Sequence, residues 1–445
     1  MFTQDSIVTP VGVTRRVAAI KGPIKSVSRR LKNGSLALND SEDDVNSMHR
    51  AMNSVLLVAQ FFALCPVQGI TSSRPADLRF RWRSFRVIYT IIVILAFMVS
   101  LGFTISWYLI VGFTFKTSGS LVFYLTGTLC CCMFLKMATK WPGLALLWHQ
   151  TERSQMHYGY PDHLRFKIRT MAAIIATVAF CEYLLSHANS LYRASQCASS
   201  TADLIKRYFI VSHRHVFGVV RFSYGMAVFT ALCNFIGAFY WSFANLFVMI
   251  ISVALASRFR LLNKSLKQVH GKVMSQNFWR STREDYNALS FLTSNVDKCV
   301  SSIILLCFAT NLFFICEQLL NMSYSASAVQ NTYFYVSFSY LIIRTVAMAL
   351  YAASVYDDSR VAKDVLYSVP AHNYQIEIHR FLVQVATDNI SLTGLNFFPV
   401  TRTVLLTLAG TIVTYEVVLV QFGTTSDNSS SNMTELCLYL TRSQF

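Results

Sequence analysis

Seven stretches of this chain are apolar over a length that crosses a lipid bilayer, and they constrain the fold more than any other feature. A helix spans the roughly 30 Å hydrocarbon layer with about 20 residues. The chain is 53% hydrophobic and only 14% charged, which is more apolar surface than one soluble core requires. The sequence therefore predicts an all-α polytopic membrane protein with seven transmembrane helices. The predicted spans are residues 85 to 113, 118 to 139, 168 to 191, 215 to 256, 291 to 322, 329 to 355 and 402 to 422.

A further apolar stretch, residues 54 to 65, is too short to cross a bilayer. It carries Gln60 and stops at Pro66, which cannot continue a helix. We expect this stretch to lie in the membrane interface or to re-enter it. Residues 1 to 45 are polar and basic without an apolar region after Met1, so we expect no cleaved signal peptide.

The distribution of Lys and Arg predicts the sidedness of the membrane protein. These residues concentrate in the N-terminal arm and after spans 2, 4 and 6, whereas the segments after spans 1, 3, 5 and 7 carry few. Positively charged loops remain in the cytoplasm, so the N terminus is predicted to be cytoplasmic and the C terminus extracellular. Three glycosylation sequons, which begin at Asn321, Asn428 and Asn432, fall on the predicted outer side.

The last span carries a polar stripe at helical spacing. Its members are Thr403, Thr407, Thr411, Thr414 and Gln421, with Val418 in the one gap. One interpretation is that each Thr hydroxyl bonds the carbonyl four residues earlier. The other is a water-lined face, which requires several copies around an axis and therefore predicts a cyclic oligomer with a central pore. Glu416 near the outer mouth favours cations.

The eleven cysteines follow no metal-binding spacing, and most lie in apolar runs. Cys197 and Cys437 are the two that the predicted topology places outside, where oxidation is permitted. We predict that these two form a disulfide bond, and the alternative is two free thiols in loops. No cofactor, metal or nucleic acid is expected.

The segment "TYEVVLVQF" at 414 to 422 resembles the TYhhhhhQF signature of insect gustatory receptors, where h is hydrophobic. The resemblance extends to "CPVQGI" at 65 to 70, "KWPGL" at 140 to 144, "NLFFICEQLLN" at 311 to 321 and "TYFYVSFSYLIIRT" at 332 to 345. Within that family these segments resemble the sugar-receptor subfamily. The resemblance covers nearly the whole chain.

This resemblance implies a sugar-gated, tetrameric cation channel in the plasma membrane of gustatory sensory neurons. It implies a central pore lined by the last helix, with Gln421 and Phe422 at its constriction, and a sugar pocket in the outer half of each subunit. The partners would be a mono- or disaccharide, membrane lipid, permeant cations and either identical or related subunits. The implied segments are an N-terminal arm (1–47), a short helix (48–66), a ligand-binding domain (85–356), a cytoplasmic anchor (357–401), the pore helix (402–422) and an extracellular tail (423–445).

Candidate sugar contacts follow from the chemistry of carbohydrate recognition. Sugar hydroxyls bind carboxylates, amides and Arg, whereas the C–H face of a pyranose stacks on an aromatic ring. The candidates in or near the outer halves of the spans are Glu182, Tyr183, His187, Trp241, Asn245, Gln318, Tyr340 and Arg344.

These candidates also allow structural interpretations. Arg344 could instead pair with Glu182 or Glu317, because a charge inside a membrane requires a partner, and Trp241 could simply pack. The chain departs from the sugar-receptor pattern at Asn245, where Asp is usual, and at Tyr183, where His is usual. The sugar-binding role that the family resemblance implies at these two positions therefore stays open.

Other classes of membrane protein agree less well with the sequence. A seven-helix G-protein-coupled receptor requires the opposite sidedness, and a transporter would more often show inverted repeats and interrupted helices. A membrane enzyme requires a cluster of acid, base or metal-binding residues, which Asp357 with Asp358 alone does not supply. A chemoreceptor channel subunit for a ligand other than sugar remains an alternative.

Overall fold

The structure, a computed structural model, describes residues 46–112, 118–198, 200–320 and 328–422, with the backbone alone for 416–422. These residues are almost entirely helical. The α-helices are α1 Met48–Phe61, α2 Phe85–Val111, α3 Gly119–Ser154, α4 Leu164–Ser195, α5 Thr201–Ser212, α6 Arg214–Phe217, α7 Tyr224–Gln268, α8 Gln276–Leu320, α9 Ala328–Arg360, α10 Ala362–Tyr367, α11 Ile376–Thr387 and α12 Arg402–Phe422. One antiparallel hairpin joins β1, Thr393–Gly394, to β2, Phe398–Pro399.

Six helical segments in the described residues are long and apolar enough to cross a membrane. They are α2, α3, α4, α7, α8 and the continuous stretch of α9 with α10, and each overlaps one of the first six predicted spans. The all-α membrane architecture is therefore confirmed. Helix α12 coincides with the seventh predicted span, but its apolar part with described side chains, Arg402–Tyr415, is shorter than a full span. The seventh span and the sidedness stay predictions.

The predicted start of the fourth span at residue 215 is wrong. Residues 201 to 217 form the short helices α5 and α6, and the long helix α7 begins only at Tyr224. Gly218 ends α6, and the β-branched pair Val219 and Val220 follows it. Glycine and β-branched residues lower helix propensity, so the apolar run at this point does not continue a helix.

Serine side chains mark where several helices begin. The Oγ atom of Ser84 accepts a hydrogen bond from the N–H of Val87 at the start of α2, and Ser47 and Ser200 cap α1 and α5 in the same way. Such caps satisfy backbone donors that have no partner within the helix. At its other end α2 stops at Gly112, whose φ of 91° is readily adopted only by glycine.

Helix α7 lies at the centre of the bundle. Every side chain from 243 to 256 is buried, which is expected for a helix that is apolar on all sides. Helix α4 is the opposite case, since only 6% of its apolar window is buried in the subunit. The two helices therefore define an interior and an exterior, and α4 is available to lipid.

A buried ion pair joins the first helix to the bundle. The Nε atom of Arg258 on α7 lies 3.8 Å from a carboxylate oxygen of Glu152 on α3, and both side chains are 2% exposed. Glu152 also accepts a 3.2 Å hydrogen bond from the backbone N–H of Met48 at the start of α1. Removing one partner of such a buried pair leaves an uncompensated charge, so this contact holds α1, α3 and α7 together.

The β-hairpin connects the long helices to α12. Asp297 on α8 accepts hydrogen bonds from the backbone N–H and the hydroxyl of Thr393, at 2.7 and 2.8 Å. Immediately after the hairpin, Arg402 at the start of α12 donates to Asp357 on α9 over 2.7 Å. The start of α12 is therefore tied to α9 directly and to α8 through the hairpin.

Candidate ligand site and pore helix

A hydrogen-bonded series of polar side chains crosses the space between helices α4, α8 and α9. The hydroxyl of Ser337 on α9 donates a 2.9 Å hydrogen bond to Glu182 on α4. Gln318 on α8 donates through Nε2 to the same Ser337 oxygen over 3.3 Å. Ser337 is 6% exposed, so the structure links two of the predicted sugar contacts through a buried hydroxyl that the sequence analysis had not named.

Two further candidates, Tyr183 and His187, follow Glu182 on helix α4, next to this hydrogen-bonded series. Their ring centroids are 4.2 Å apart, and Tyr183 also contacts Phe235 on α7. The Nδ1 atom of His187 shares a 2.5 Å hydrogen bond with the hydroxyl of Tyr208 on α5. The short helix α5 therefore forms one wall of the predicted site next to α4.

Arg344 on α9 stacks on aromatic rings. Its guanidinium carbon lies 4.2 Å from the ring centroid of Trp241 and 5.0 Å from that of Tyr340, which are cation–π distances. It donates a 3.4 Å hydrogen bond to Ser242. In the part of the chain that the structure describes, Arg344 makes no direct ion pair with Glu182 or Glu317, so this alternative interpretation is not observed. The electron-rich rings take the place of the carboxylate.

An asparagine pair fixes the deeper end of the site. The indole Nε1 of Trp241 donates to Asn311 Oδ1 over 3.1 Å, and Asn311 Nδ2 donates to Asn245 Oδ1 over 2.8 Å. Asn245 in turn donates to the backbone carbonyl of Trp241. Both asparagines are 0% exposed. Asn245 therefore holds Trp241 and Asn311 in place in this structure instead of offering its amide to a ligand.

The space next to Trp241 is small. Aromatic rings, two glycines and two threonine side chains enclose a cavity of about 10 Å³, which has room for roughly one water molecule. The lining residues are Phe123, Thr126, Gly127, Gly237, Tyr240, Trp241, Thr310 and Phe314. This cavity is therefore too small for a sugar ring in the described arrangement.

Several polar atoms near these side chains are buried without a protein partner. Among the described residues these include Gln318 Oε1 and the Nε and Nη2 atoms of Arg344. A buried polar group without a partner is costly, and inside a membrane protein it indicates water or a ligand. The unpaired atoms lie on α8 and α9, beside the hydrogen-bonded series that begins at Glu182.

The eight predicted contacts fall into three groups in the structure. Glu182 and Gln318 share Ser337, Tyr183 lies against His187, and Trp241, Asn245, Tyr340 and Arg344 form the deeper cluster. Arg344 and Glu182 remain close enough to interact electrostatically. The groups therefore occupy one region between α4, α7, α8 and α9.

The sequence analysis missed Asn311, Ser337, Ser242 and Tyr208. Asn311 lies seven residues before Gln318, and Ser337 lies seven residues before Arg344. Residues seven apart share a helix face, so a search for polar residues two turns from each candidate would have found both. Tyr208 lies on the short helix α5, which the sequence analysis did not predict, and no local signal connects it with α4.

The described part of the polar stripe on α12 bears out the first interpretation given to it, and the water-lined face stays a prediction. Thr407, Thr411 and Thr414 each donate a hydrogen bond to the carbonyl four residues earlier, at 3.2, 2.9 and 2.8 Å. The same side chains and Thr403 are exposed in the subunit, whereas the opposite face of α12 packs on α8 and α9. Val418, Gln421 and Phe422 lie outside the residues with described side chains, and their pore roles stay predictions.

Cys197 is disulfide-bonded in the structure. Its predicted partner, Cys437, lies outside the described residues, so the pairing itself stays a prediction. The sequons at Asn321, Asn428 and Asn432 also lie outside the described residues, and glycosylation at these sites is untested.

Comparison with solved structures identifies the fold class. The chain is similar to the olfactory receptor OR5 of Machilis hrabei in complex with eugenol, with a TM-score of 0.67 at 14% sequence identity, over 86% of this chain and 100% of that one. A second structure of the same receptor matches with a TM-score of 0.61 at 14% sequence identity, over 83% and 97% of the two chains. The helices thus have the fold of an insect chemoreceptor.

Sequence comparison identifies the family within this class. A family model described as trehalose receptor matches residues 30–437. The chain is 35% identical over 386 residues to the gustatory receptor for sugar taste 64f of Drosophila melanogaster, covering 86% of this chain and 82% of that protein. It is 32% identical over 382 residues to gustatory receptor 5a for trehalose from the same organism, covering 84% and 85%. The chain belongs to the trehalose receptor family of insect sugar-taste receptors.

Proposed function

We propose that this protein is a sugar-gated cation channel whose ligand binds between helices α4, α7, α8 and α9. The observation that carries the proposal is the group of buried polar atoms without protein partners, Gln318 Oε1 and Arg344 Nε and Nη2, beside the Glu182–Ser337 hydrogen bond. Sugar hydroxyls supply both donors and acceptors, so a sugar satisfies them together.

Each side chain then has a defined task. Glu182 accepts hydrogen bonds from two sugar hydroxyls, Gln318 accepts from a third, and Arg344 donates to a ring or hydroxyl oxygen. Trp241 is already covered by Arg344 on one face and lies 4.6 Å from the ring of Phe314. It therefore positions Arg344 in the resting state and offers its ring to a pyranose only when the guanidinium moves.

The printed names of the relatives support a sugar as the ligand. One relative is named for sugar taste and another for trehalose. Trehalose is a disaccharide, and we therefore choose it as the first ligand to test on this chain, together with its component glucose and with sucrose and maltose. Tyr183 and His187, at the His187–Tyr208 hydrogen bond, contact the second sugar unit in this proposal.

The decisive experiment is calcium imaging of cells that express the full chain and receive this panel of sugars. Glu182→Gln retains the shape of the side chain and removes its charge. Hydrogen bonds to charged groups contribute about 1.5 to 3 kcal/mol, and about 1.4 kcal/mol corresponds to a factor of ten. The half-maximal sugar concentration should therefore rise roughly tenfold or more, with surface expression unchanged.

Glu284→Gln is the matched control, because Glu284 pairs with Arg280 on an exposed face of α8. Its dose-response curve should overlay that of the unchanged protein. If Glu182→Gln reaches the surface and also overlays the unchanged protein for every active sugar, the ligand binds elsewhere. No response to any sugar from the unchanged chain would instead indicate that a related subunit is required or that the ligand is not a sugar.

We further propose that α12 lines the pore of a tetramer, with Gln421 and Phe422 at the constriction. The exposed threonine face of α12 supports this role, because it gives an otherwise apolar helix one continuous polar side that water in a pore can contact. Thr407→Cys should react with a charged, water-soluble thiol reagent and reduce the sugar-evoked current. Leu406, an apolar residue next to Thr407, is also exposed in the subunit, and Leu406→Cys should not react if it faces lipid.

Gln421→Ala should change resting leak or ion selectivity, because this amide would lie where the pore narrows. A variant identical to the unchanged protein in leak, selectivity and block would contradict the constriction. Epitope tags at the two termini, detected without permeabilisation, test the sidedness. Only the C-terminal tag should be accessible in the channel, whereas the metabotropic receptor alternative requires the reverse.

A further inference from the structure

A second cavity lies at the far end of the bundle from the candidate sugar site. It has a volume of about 460 Å³ and lies where the C-terminal end of α7 meets the end of α9. Its lining is polar and basic, and it consists of Arg260, Asn263, Lys264, Lys267, Gln268, Asp358 and Val361. Neither the sugar response nor the pore uses these residues.

The positive charge of this cavity exceeds its negative charge. Arg260 pairs with Asp358 over 2.8 Å, which neutralises the acidic group of the lining. Lys264 and Lys267 are exposed, and neither forms an ion pair with a described residue. Lys167 on α4, which does not line the cavity, interacts electrostatically with Arg260 and Asp358. The cavity therefore attracts an anion that carries more than one charge.

Neutral donors in the lining are also positioned by the fold. Asn263 is 5% exposed and donates a 2.7 Å hydrogen bond to the backbone carbonyl of Asp358. This bond ties α7 to α9 at the floor of the cavity. Lys264 and Lys267 lie three residues apart on α7 and therefore on one side of the helix, so both ammonium groups reach the same bound group.

The height of the cavity along α7 places it at the outer edge of the lipid headgroup region. The buried apolar run of α7 ends at Ala256, and the lining residues of that helix lie 4 to 12 positions beyond it. At a rise of about 1.5 Å per residue this is roughly 6 to 18 Å past the apolar run. The bilayer is about 30 Å thick across its hydrocarbon and about 40 to 45 Å with both headgroup layers, so each headgroup layer is about 5 to 8 Å deep. The lining residues therefore lie at the outer edge of the headgroup layer and beyond it, on the side that the sequence predicts to be cytoplasmic.

We propose that this cavity binds a multiply phosphorylated inositol headgroup. Lys264 and Lys267 hold the phosphates, while Asn263 and Gln268 offer donors to the remaining oxygens, and the Arg260–Asp358 pair forms the wall. Basic pockets between membrane helices on the cytoplasmic side bind such headgroups. The headgroup can belong to a phosphoinositide of the inner leaflet or to a free inositol phosphate, because both carry the same phosphates.

The test uses purified full-length protein and a fluorescent, short-chain phosphatidylinositol 4,5-bisphosphate, with binding followed by anisotropy. The unchanged protein should bind it saturably. Lys264→Gln/Lys267→Gln should weaken binding roughly tenfold to thirtyfold, given the usual contribution of each basic residue at a membrane surface. Lys272→Gln/Lys298→Gln is the control, because both lysines are exposed and neither lines the cavity. This control should bind as the unchanged protein does.

Competition distinguishes the two sources of the headgroup. Displacement by inositol 1,4,5-trisphosphate at concentrations close to those of the lipid identifies a site for the free anion as well as the lipid. Displacement only by unlabelled short-chain lipid assigns the site to the membrane lipid. Absence of saturable binding, or equal weakening in both double variants, would overturn the proposal. Neither result depends on a sugar response, so the outcome is independent of the proposed channel activity.

Discussion

Replacing Asn311 by Leu should loosen the deep end of the candidate site. The substitution retains the approximate volume of the side chain and removes both of its hydrogen bonds. It leaves the indole N–H of Trp241 without an acceptor and Asn245 Oδ1 without a donor, in a place where Asn245 and Asn311 are 0% exposed. No other described side chain is bonded to these two atoms.

The magnitude follows from the two broken bonds. Hydrogen bonds between membrane helices contribute about 0.6 kcal/mol on average, whereas an unsatisfied buried group costs about 1 to 3 kcal/mol. Because Trp241 is only half-buried, we expect Asn311→Leu to lower the free energy of unfolding by about 1 to 4 kcal/mol. With roughly 2 °C for each kcal/mol in a large chain, the melting midpoint should fall by about 2 to 8 °C.

The assay heats fluorescently tagged protein in detergent and measures the fraction that remains monodisperse by size-exclusion chromatography. Asn295→Leu on the same helix is the control, because the Asn295 amide bonds only to a carbonyl of its own helix. The double variant Asn245→Leu/Asn311→Leu removes both amides, so no amide of this pair remains buried without its partner. Its destabilisation should be smaller than the sum of the single effects by about 0.6 kcal/mol or more.

Two results would refute this reasoning. The first is a melting midpoint of Asn311→Leu equal to that of the Asn295→Leu control. The second is a double variant whose loss equals the sum of the two single losses, because additivity would show that the asparagines do not interact.

Burial lowers the pKa of His213 to about 4, whereas histidine in an unfolded chain titrates near 6.5. Between these two values the unfolded state binds more protons than the folded state. The protein should therefore lose stability as the pH falls through this window. His213→Gln should flatten the plot of melting midpoint against pH there. Gly127→Ala places a Cβ atom 2.4 Å from an aromatic ring of α2 and should destabilise by about 1 to 3 kcal/mol, whereas Gly143→Ala, which meets nothing within 4 Å, should not lower the melting midpoint. Non-reducing peptide mapping should recover Cys197 linked to Cys437, and two free thiols in surface-expressed protein would contradict that pairing.

The membrane architecture follows from the sequence alone because it depends on local composition. Hydrocarbon excludes unpaired backbone groups, so about 20 consecutive apolar residues form a helix whatever their neighbours are. The positions of six spans and the exposure of the Thr407 face could therefore be predicted. The family was also identifiable from short motifs such as that at 414 to 422. The predicted start of the fourth span at residue 215 was wrong because the apolar run continues there although the helix propensity is low.

Only the tertiary structure decided how the candidate side chains meet. Helical spacing shows which residues share a face, but the neighbour of that face depends on how long helices pack. Close packing such as that at Gly127 sets this register, and no local pattern reports it. In the structure Arg344 stacks on Trp241 and makes no direct ion pair with Glu182. Asn245 is bonded to Asn311, which lies 66 residues away along the chain. A charge in an apolar bundle must find a partner, and packing determines which partner is within reach.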